Sequence, residues 1–159
     1  MPVARPVPKA DWVFREILDA CTLLPGEKVR CEFCNHRIRW VHVLQHDAFH
    51  RPMGAGCCCA IRLAHDYDAV AAETEAKNHA TRLSRFTASK HWKVSVSSPP
   101  NVWRFVKIKG RKRERLTLYW KDGRWGVFLN GAYCFDRFAS QAEAMATAFT
   151  LVERMNGKG

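Results

Sequence analysis

Long apolar runs are absent from this chain of 159 residues, and no stretch approaches the length that a membrane-spanning helix needs. The N-terminal segment MPVARPVPKADW is rich in proline and lacks the apolar stretch of a secretory signal. We therefore expect a cytoplasmic protein with no membrane partner. In a reducing cytosol, clustered cysteines bind metal or perform chemistry more often than they form disulfides, and an odd count of seven fits a disulfide framework poorly.

Acidic residues are scarce, because 15 Asp and Glu stand against 26 Lys and Arg, for a formal net charge of +11. The excess is concentrated in residues 99–159, where twelve basic residues face five acidic ones. A basic chain of this size often binds a polyanion, most often nucleic acid. The alternative is a charge that only keeps the protein soluble.

Proline and glycine are absent from residues 58–89, where alanine is abundant. This composition predicts one helix of about eight turns. Upstream, Asp11 is placed to cap a helix with Val13, Ile17 and Leu18 as its apolar stripe. The segment KVRCEFCNHRIRWVHVL alternates in polarity and predicts two short strands around a tight turn at Cys31–Cys34.

The last third of the chain shows the pattern of a sheet followed by a helix. The runs VWRFVKIKG, RLTLYWK, RWGVFLN and AYCFDRF are typical of strands, and Asp-Gly and Asn-Gly pairs join the last three. In ASQAEAMATAF, Ser140 is a helix cap and Glu143 completes a capping box.

These patterns predict an α+β protein in two parts. A flexible arm at residues 1–10 precedes a zinc-stabilised, treble-clef-like module with a long helix at 11–92. A linker at 93–101 leads to a basic domain at 102–156, an antiparallel β-meander packed on one helix.

The cysteine-rich segment CEFCNHRIRWVHVLQHDAFHRPMGAGCCCA predicts a metal site. A Cys-x-x-Cys turn places two thiolates on one zinc ion, and GCCC at the start of the predicted helix supplies further ligands. We predict that Zn²⁺ is bound by Cys31, Cys34, Cys57 and Cys59. The alternative ligands are Cys58, His46 and His42. The remaining cysteines, Cys21 and Cys134, are predicted to be buried free thiols.

Histidines near such a module are also typical of HNH nucleases, in which His42 would be the base. The downstream candidates, His65, Asn78 and His79, lie too far along the predicted helix to converge with His42 on one cation. A thiol enzyme needs an isolated, activated cysteine rather than a cluster. We therefore expect no enzymatic activity.

The basic sheet is the predicted binding surface. Leu116, Leu118 and Trp120 share one face, so Arg115 and Tyr119 lie on the other. Cations for phosphates and planar groups for bases make that face a candidate reader of nucleic acid, although a charged, solvated face is the simpler alternative. The predicted contacts, which include the turn at residues 110–115, are Lys107, Lys109, Arg111, Lys112, Arg113, Arg115, Tyr119, Lys121 and Arg124.

The segment GRWGVFLNGAYCFDRFASQAEAMATAF resembles the three-stranded sheet and helix of plant ethylene-response-type and phage-integrase arm-type DNA-binding domains. Phe138, Ser140, Glu143 and Ala144 carry this resemblance, which implies a sheet lying in the major groove of DNA. Double-stranded RNA-binding domains have a similar element order, but their helix begins with a lysine cluster that ASQAEA lacks. DNA is therefore the favoured partner over RNA.

The pattern Cys-x-x-Cys…Gly-Cys-x-Cys-Ala is similar to that of small uncharacterised proteins of bacteria and their phages, with a treble-clef-like zinc module. This resemblance favours Cys57 and Cys59 over Cys58 and implies a bacterial or phage-infected host cell. It leads to a second hypothesis, in which a phage or mobile-element protein binds and modulates a host nucleic-acid-binding protein or complex. A small HNH-like nuclease is the third.

Overall fold

The computed structural model describes residues 6–134 and 136–158, so the first five residues of the expected arm lie outside the described residues. The chain is α+β, as predicted, and every paired strand in its two sheets is antiparallel. It divides into two compact units, residues 1–79 and residues 80–159. None of the helices in the described part of the chain is both long enough and apolar enough to cross a membrane.

The first unit is built on a three-stranded sheet in sequence order. Its strands are β1 (Val13–Asp19), β2 (Trp40–Gln45) and β3 (Met53–Ala55). Its helices are α1 (Ala20–Leu23), α2 (Cys57–Leu63) and the start of α3 (Ala69–Thr87). The buried core combines Trp12, Leu44, Met53 and Leu63 with Cys31 and four alanines, and half-buried side chains pack against it: Phe14, Phe33, Ile38, Phe49 and Tyr67.

The helix predicted from Asp11 is wrong, because this segment forms β1 instead. Phe14 lies opposite Leu44 and Ile17 lies opposite His42, so pairing with β2 determines the local structure. Asp11 has a positive φ of 61° and does not cap a helix. A three-to-four-residue apolar spacing was present, but sheet pairing and the burial of Trp12 override that weak preference.

The single helix predicted for residues 58–89 is also wrong, because it is interrupted between α2 and α3. Ala64 and Ala69 are buried on either side of the interruption, and Tyr67 stacks on Phe14 with ring centroids 4.0 Å apart. The Asp68 carboxylate accepts a hydrogen bond of 2.9 Å from the backbone N–H of Ala71 and so caps α3. The chain therefore changes direction here without a glycine or a proline, and the burial of these side chains stabilises the break between the two helices.

The second unit is a five-stranded meander in sequence order with one helix on its inner face. The strands are β4 (Lys93–Val94), β5 (Val102–Lys107), β6 (Arg113–Lys121), β7 (Arg124–Leu129) and β8 (Ala132–Tyr133), and the helix is α4 (Gln141–Met155). Residues 93 and 94, assigned above to a linker, pair with β5 and belong to the sheet. The predicted strand AYCFDRF is reduced to β8, and its Phe135 lies outside the described residues.

The turns and the helix cap predicted for the second unit are confirmed. Asp122–Gly123 and Asn130–Gly131 both have positive φ, as the tight hairpin turns require. Ser140 and Glu143 form the capping box at the start of α4. The core joins Leu116, Leu118 and Val127 of the sheet to Ala144, Met145 and Ala148 of α4, so α4 packs on one face of the sheet.

Candidate metal centre and sheet surface

The Cys31–Cys34 turn is fixed by backbone hydrogen bonds. The N–H of Asn35 donates to the carbonyl of Cys31, and the N–H of Cys31 donates to the carbonyl of His36. Asn35 takes a positive φ of 62°, which asparagine tolerates better than most residues. Of the two strands predicted around this turn, the first is reduced to a bridge between Arg30 and Arg37, and the second is present as β2 from Trp40 onward.

Three cysteines meet beside this turn. The sulfur atoms of Cys31, Cys34 and Cys59 all lie within 4.8 Å of one another, with Cys59 supplied by the first turn of α2. Thiolates on one tetrahedral ion, with metal–sulfur bonds of about 2.3 Å, lie about 3.8 Å apart. Small side-chain adjustments would therefore let these three cysteines hold a metal ion.

The electrostatics of this cluster favour a bound cation. Burial raises the pKa of the Cys31 thiol, but backbone N–H groups of Gly56, Phe33 and Cys34 donate to its sulfur and leave the pKa below its usual value. Burial raises the pKa of Cys59 to about 12, and the sulfurs of Cys34 and Cys31 add to that shift. Three thiols this close resist ionising together, and a divalent cation removes that resistance.

Cys57, predicted above as the fourth ligand, lies in a different group. Its sulfur, a ring nitrogen of His42 and a carboxylate oxygen of Glu73 are all within 4.8 Å of one another. Within residues 6–134 and 136–158, no fourth Cys, His, Asp or Glu joins Cys31, Cys34 and Cys59 at this distance.

The other alternative ligands lie elsewhere. Cys58 is exposed at the start of α2. His46 accepts a hydrogen bond of 3.0 Å from the N–H of Ala48 through Nδ1, and its ring packs beside Trp12. Cys134 is half-buried. Cys21 is exposed, so the expectation that it is buried is wrong. The predicted helix that would have placed Cys21 beside its apolar stripe is β1 instead, and Cys21 lies in the short α1 that follows.

The open face of the second sheet, which we call the outer face, carries most of the predicted nucleic-acid contacts. Alternation along β5, β6 and β7 places six of them on this face: Lys107, Arg113, Arg115, Tyr119, Lys121 and Arg124. The other three, Lys109, Arg111 and Lys112, lie in the turn between β5 and β6. Among the described residues, the strands place no Asp or Glu on the outer face.

The outer face also carries aromatic rings that the predicted contact set omitted. They are Trp103, Phe105, Phe128 and Tyr133, in addition to Tyr119. Phe105 is 45% exposed and Tyr133 is 64% exposed. Alternation along the strands places these rings on the outer face, but the predicted contacts were chosen for their charge.

Cations and rings alternate on this face. The guanidinium of Arg115 lies 4.3 Å from the centre of the Trp103 ring, and that of Arg113 lies 5.4 Å from the centre of Phe105. Such cation–π contacts hold flexible arginines in place on the sheet. The result is a preformed surface of rings and guanidinium groups.

Tyr119 is held flat on this surface. Its ring covers Gly126, where an added Cβ would lie 2.3 Å from the tyrosine Cζ. Arg137, also absent from the predicted set, donates to the Tyr119 hydroxyl at 2.9 Å and to the carbonyl of Lys121 at 2.8 Å. Position 126 therefore requires glycine because any side chain there would collide with the Tyr119 ring, and not because the backbone turns.

Comparisons with models of protein families, with curated proteins and with solved structures found no match to this chain.

Proposed function

We propose that this protein binds nucleic acid, DNA in the first instance, through the outer face of its second unit, and that a zinc ion organises its first unit. The observation that carries the proposal is the composition of the outer face, where aromatic rings alternate with Lys and Arg and where, within residues 6–134 and 136–158, no strand contributes a carboxylate. A purely solvated face has no need of exposed rings such as Phe105 and Tyr133.

The two kinds of side chain serve two parts of a nucleotide. Lys and Arg neutralise phosphates, which supplies affinity at any sequence. Exposed rings stack on bases, and each such contact is worth about 1–3 kcal/mol. Since bases inside a duplex are already stacked, the rings favour a single-stranded segment over the major-groove contact that the resemblance to plant and phage domains implies.

The turn between β5 and β6 extends the basic surface. The side chain of Asn156, at the end of α4, accepts from the N–H of Lys109 at 2.7 Å and donates to the carbonyl of Lys107 at 3.1 Å. This anchor holds the start of the turn, so that Arg111 and Lys112 project beyond the sheet as phosphate contacts.

Zinc is the cation that the first unit suits best. Three thiolates form a soft ligand set, which selects zinc over magnesium or calcium. A treble clef is supported by the order of the elements, in which a cysteine turn is followed by the hairpin of β2 and β3 and by a helix with a candidate ligand in its first turn. The ion would hold the turn to the helix, a structural role.

A binding assay with the full chain tests the proposal. Fluorescence anisotropy would follow the titration of labelled single-stranded DNA, its duplex and RNA of the same sequence. We expect tighter binding to single strands than to the duplex, with an affinity for single strands that falls by about 0.7 log units per log unit of salt for each neutralised phosphate. No binding of any of the three at low salt would refute the proposal and favour an acidic protein as the partner of this face.

A further inference from the structure

A second group of metal-ligating side chains lies in the first unit, apart from the three-cysteine cluster. His42 comes from β2, Cys57 from the start of α2 and Glu73 from α3. One ligand atom of each lies within 4.8 Å of the other two, and His42 is fully buried. Three elements distant in sequence thus direct a thiol, an imidazole and a carboxylate to one point.

The hydrogen bonds of His42 leave no nitrogen to activate the thiol. Nδ1 lies 2.8 Å from the hydroxyl of Tyr67, and Nε2 lies 3.2 Å from Oε2 of Glu73. A cysteine nucleophile needs a histidine nitrogen as its base and a lowered pKa. Because both ring nitrogens of His42 already have partners, this group does not have the arrangement of an activated thiol nucleophile.

The same geometry suits a cation. Nitrogen and oxygen ligands at 2.0–2.1 Å from a tetrahedral ion lie roughly 3.3 Å apart, close to the 3.2 Å between Nε2 and Oε2. Metal-binding histidines usually hydrogen-bond through their other nitrogen, and Tyr67 occupies that position. Tyr67 is itself held by stacking on Phe14.

We propose that His42, Cys57 and Glu73 form a second metal site, for a divalent transition ion of the zinc type. Sulfur, nitrogen and oxygen donors together select such an ion over magnesium or calcium, which prefer oxygen alone. Three protein ligands leave one coordination position for water or another ligand. The salt bridge of 2.6 Å between Lys77 and Oε1 of Glu73 orients the carboxylate and leaves Oε2 toward the site.

The test is the zinc content of the full chain after removal of metal, reloading with Zn²⁺ and gel filtration. We expect about two equivalents per chain, one for each group of donors. Glu73→Gln keeps the shape of the side chain and an acceptor for His42 but removes the anionic ligand. It should bind about one equivalent, as should Cys57→Ser. Asp66→Asn removes an exposed carboxylate of the same unit and should keep two.

Two further measurements separate metal loss from misfolding. Far-ultraviolet circular dichroism of Glu73→Gln should match that of the original chain. Tyr67→Phe removes only the hydroxyl that orients His42, so it should keep both equivalents and weaken one of them about 10–100-fold in competition with a chelating dye.

Two outcomes would overturn the proposal. If the original chain binds one equivalent and both Glu73→Gln and Cys57→Ser retain it, the second group is only a buried hydrogen-bonded cluster. If Cys57→Ser loses a single equivalent that Glu73→Gln keeps, Cys57 instead completes a four-thiolate site with Cys31, Cys34 and Cys59.

Discussion

Removal of metal by a chelator is expected to unfold the first unit and to leave the sheet of the second unit folded. Four of the nine buried core residues of the first unit are alanines, and its three phenylalanines are only half-buried, so its own burial stabilises it less than a core of large buried side chains would. Structural zinc in small domains contributes about 10–16 kcal/mol at neutral pH, which exceeds the stability of most small folds. The second unit has its own core, built on Leu116, Leu118 and Val127.

Cys34→Ser should have the same effect without a chelator. Cys34 is exposed, so its substitution removes a ligand with little change in packing, whereas Cys31 is buried. Cys21→Ser is the matched control, because Cys21 is exposed and belongs to neither group of metal ligands. Circular dichroism and limited proteolysis would follow the first unit, and a fully folded metal-free protein would contradict this account.

Replacement of Arg113, Arg115 and Lys121 by alanine is expected to cause the largest loss of nucleic-acid affinity. All three lie on the outer face of β6, and two of them stack on Phe105 and Trp103. Each lost charge-assisted contact costs about 1.5 kcal/mol, so the loss of all three should lower affinity at low salt on the order of a thousandfold. The slope of log affinity against log salt should flatten by about 2 for a single strand.

The control for this variant removes the same charge from the first unit. Lys28, Arg37 and Arg62 are exposed there, and their replacement by alanine lowers the net charge equally. This control should change affinity only through the long-range field, an effect that physiological salt screens within about 8 Å. Equal losses for both variants would mean that net charge, rather than the outer face, determines binding.

The second unit could be predicted from sequence because its signals are local. Asp-Gly and Asn-Gly turns, alternating strands and the Ser140–Glu143 box each act within a few residues, and each is present in the structure. The first unit could not, because distant contacts shape it. β1 depends on pairing with β2, whose partner residues are 21 to 32 positions further along the chain. The break before α3 accompanies the stacking of Tyr67 on Phe14.

The residues of the candidate metal sites also differ in how far the sequence predicts them. Cys31, Cys34 and Cys59 were all predicted as ligands from the sequence, and their sulfur atoms lie together in the structure. Cys57 and Cys59 belong to different groups because of the direction in which α2 leaves β3. The spacing of the cysteines in the sequence does not distinguish the two. Glu73 was absent from the predicted ligands because an unbroken helix would carry it away from His42. The break before α3 returns it to the sheet.

Ultraviolet crosslinking of a bound single-stranded oligonucleotide, followed by mass spectrometry of the crosslinked peptides, tests most directly the claim that the outer face binds nucleic acid. Stacked aromatic side chains place their rings against bases, which is the geometry that crosslinking requires. We predict crosslinks at Trp103, Phe105, Tyr119, Phe128 or Tyr133. Crosslinks confined to the first unit, in a complex shown to form at the same salt concentration, would contradict the account.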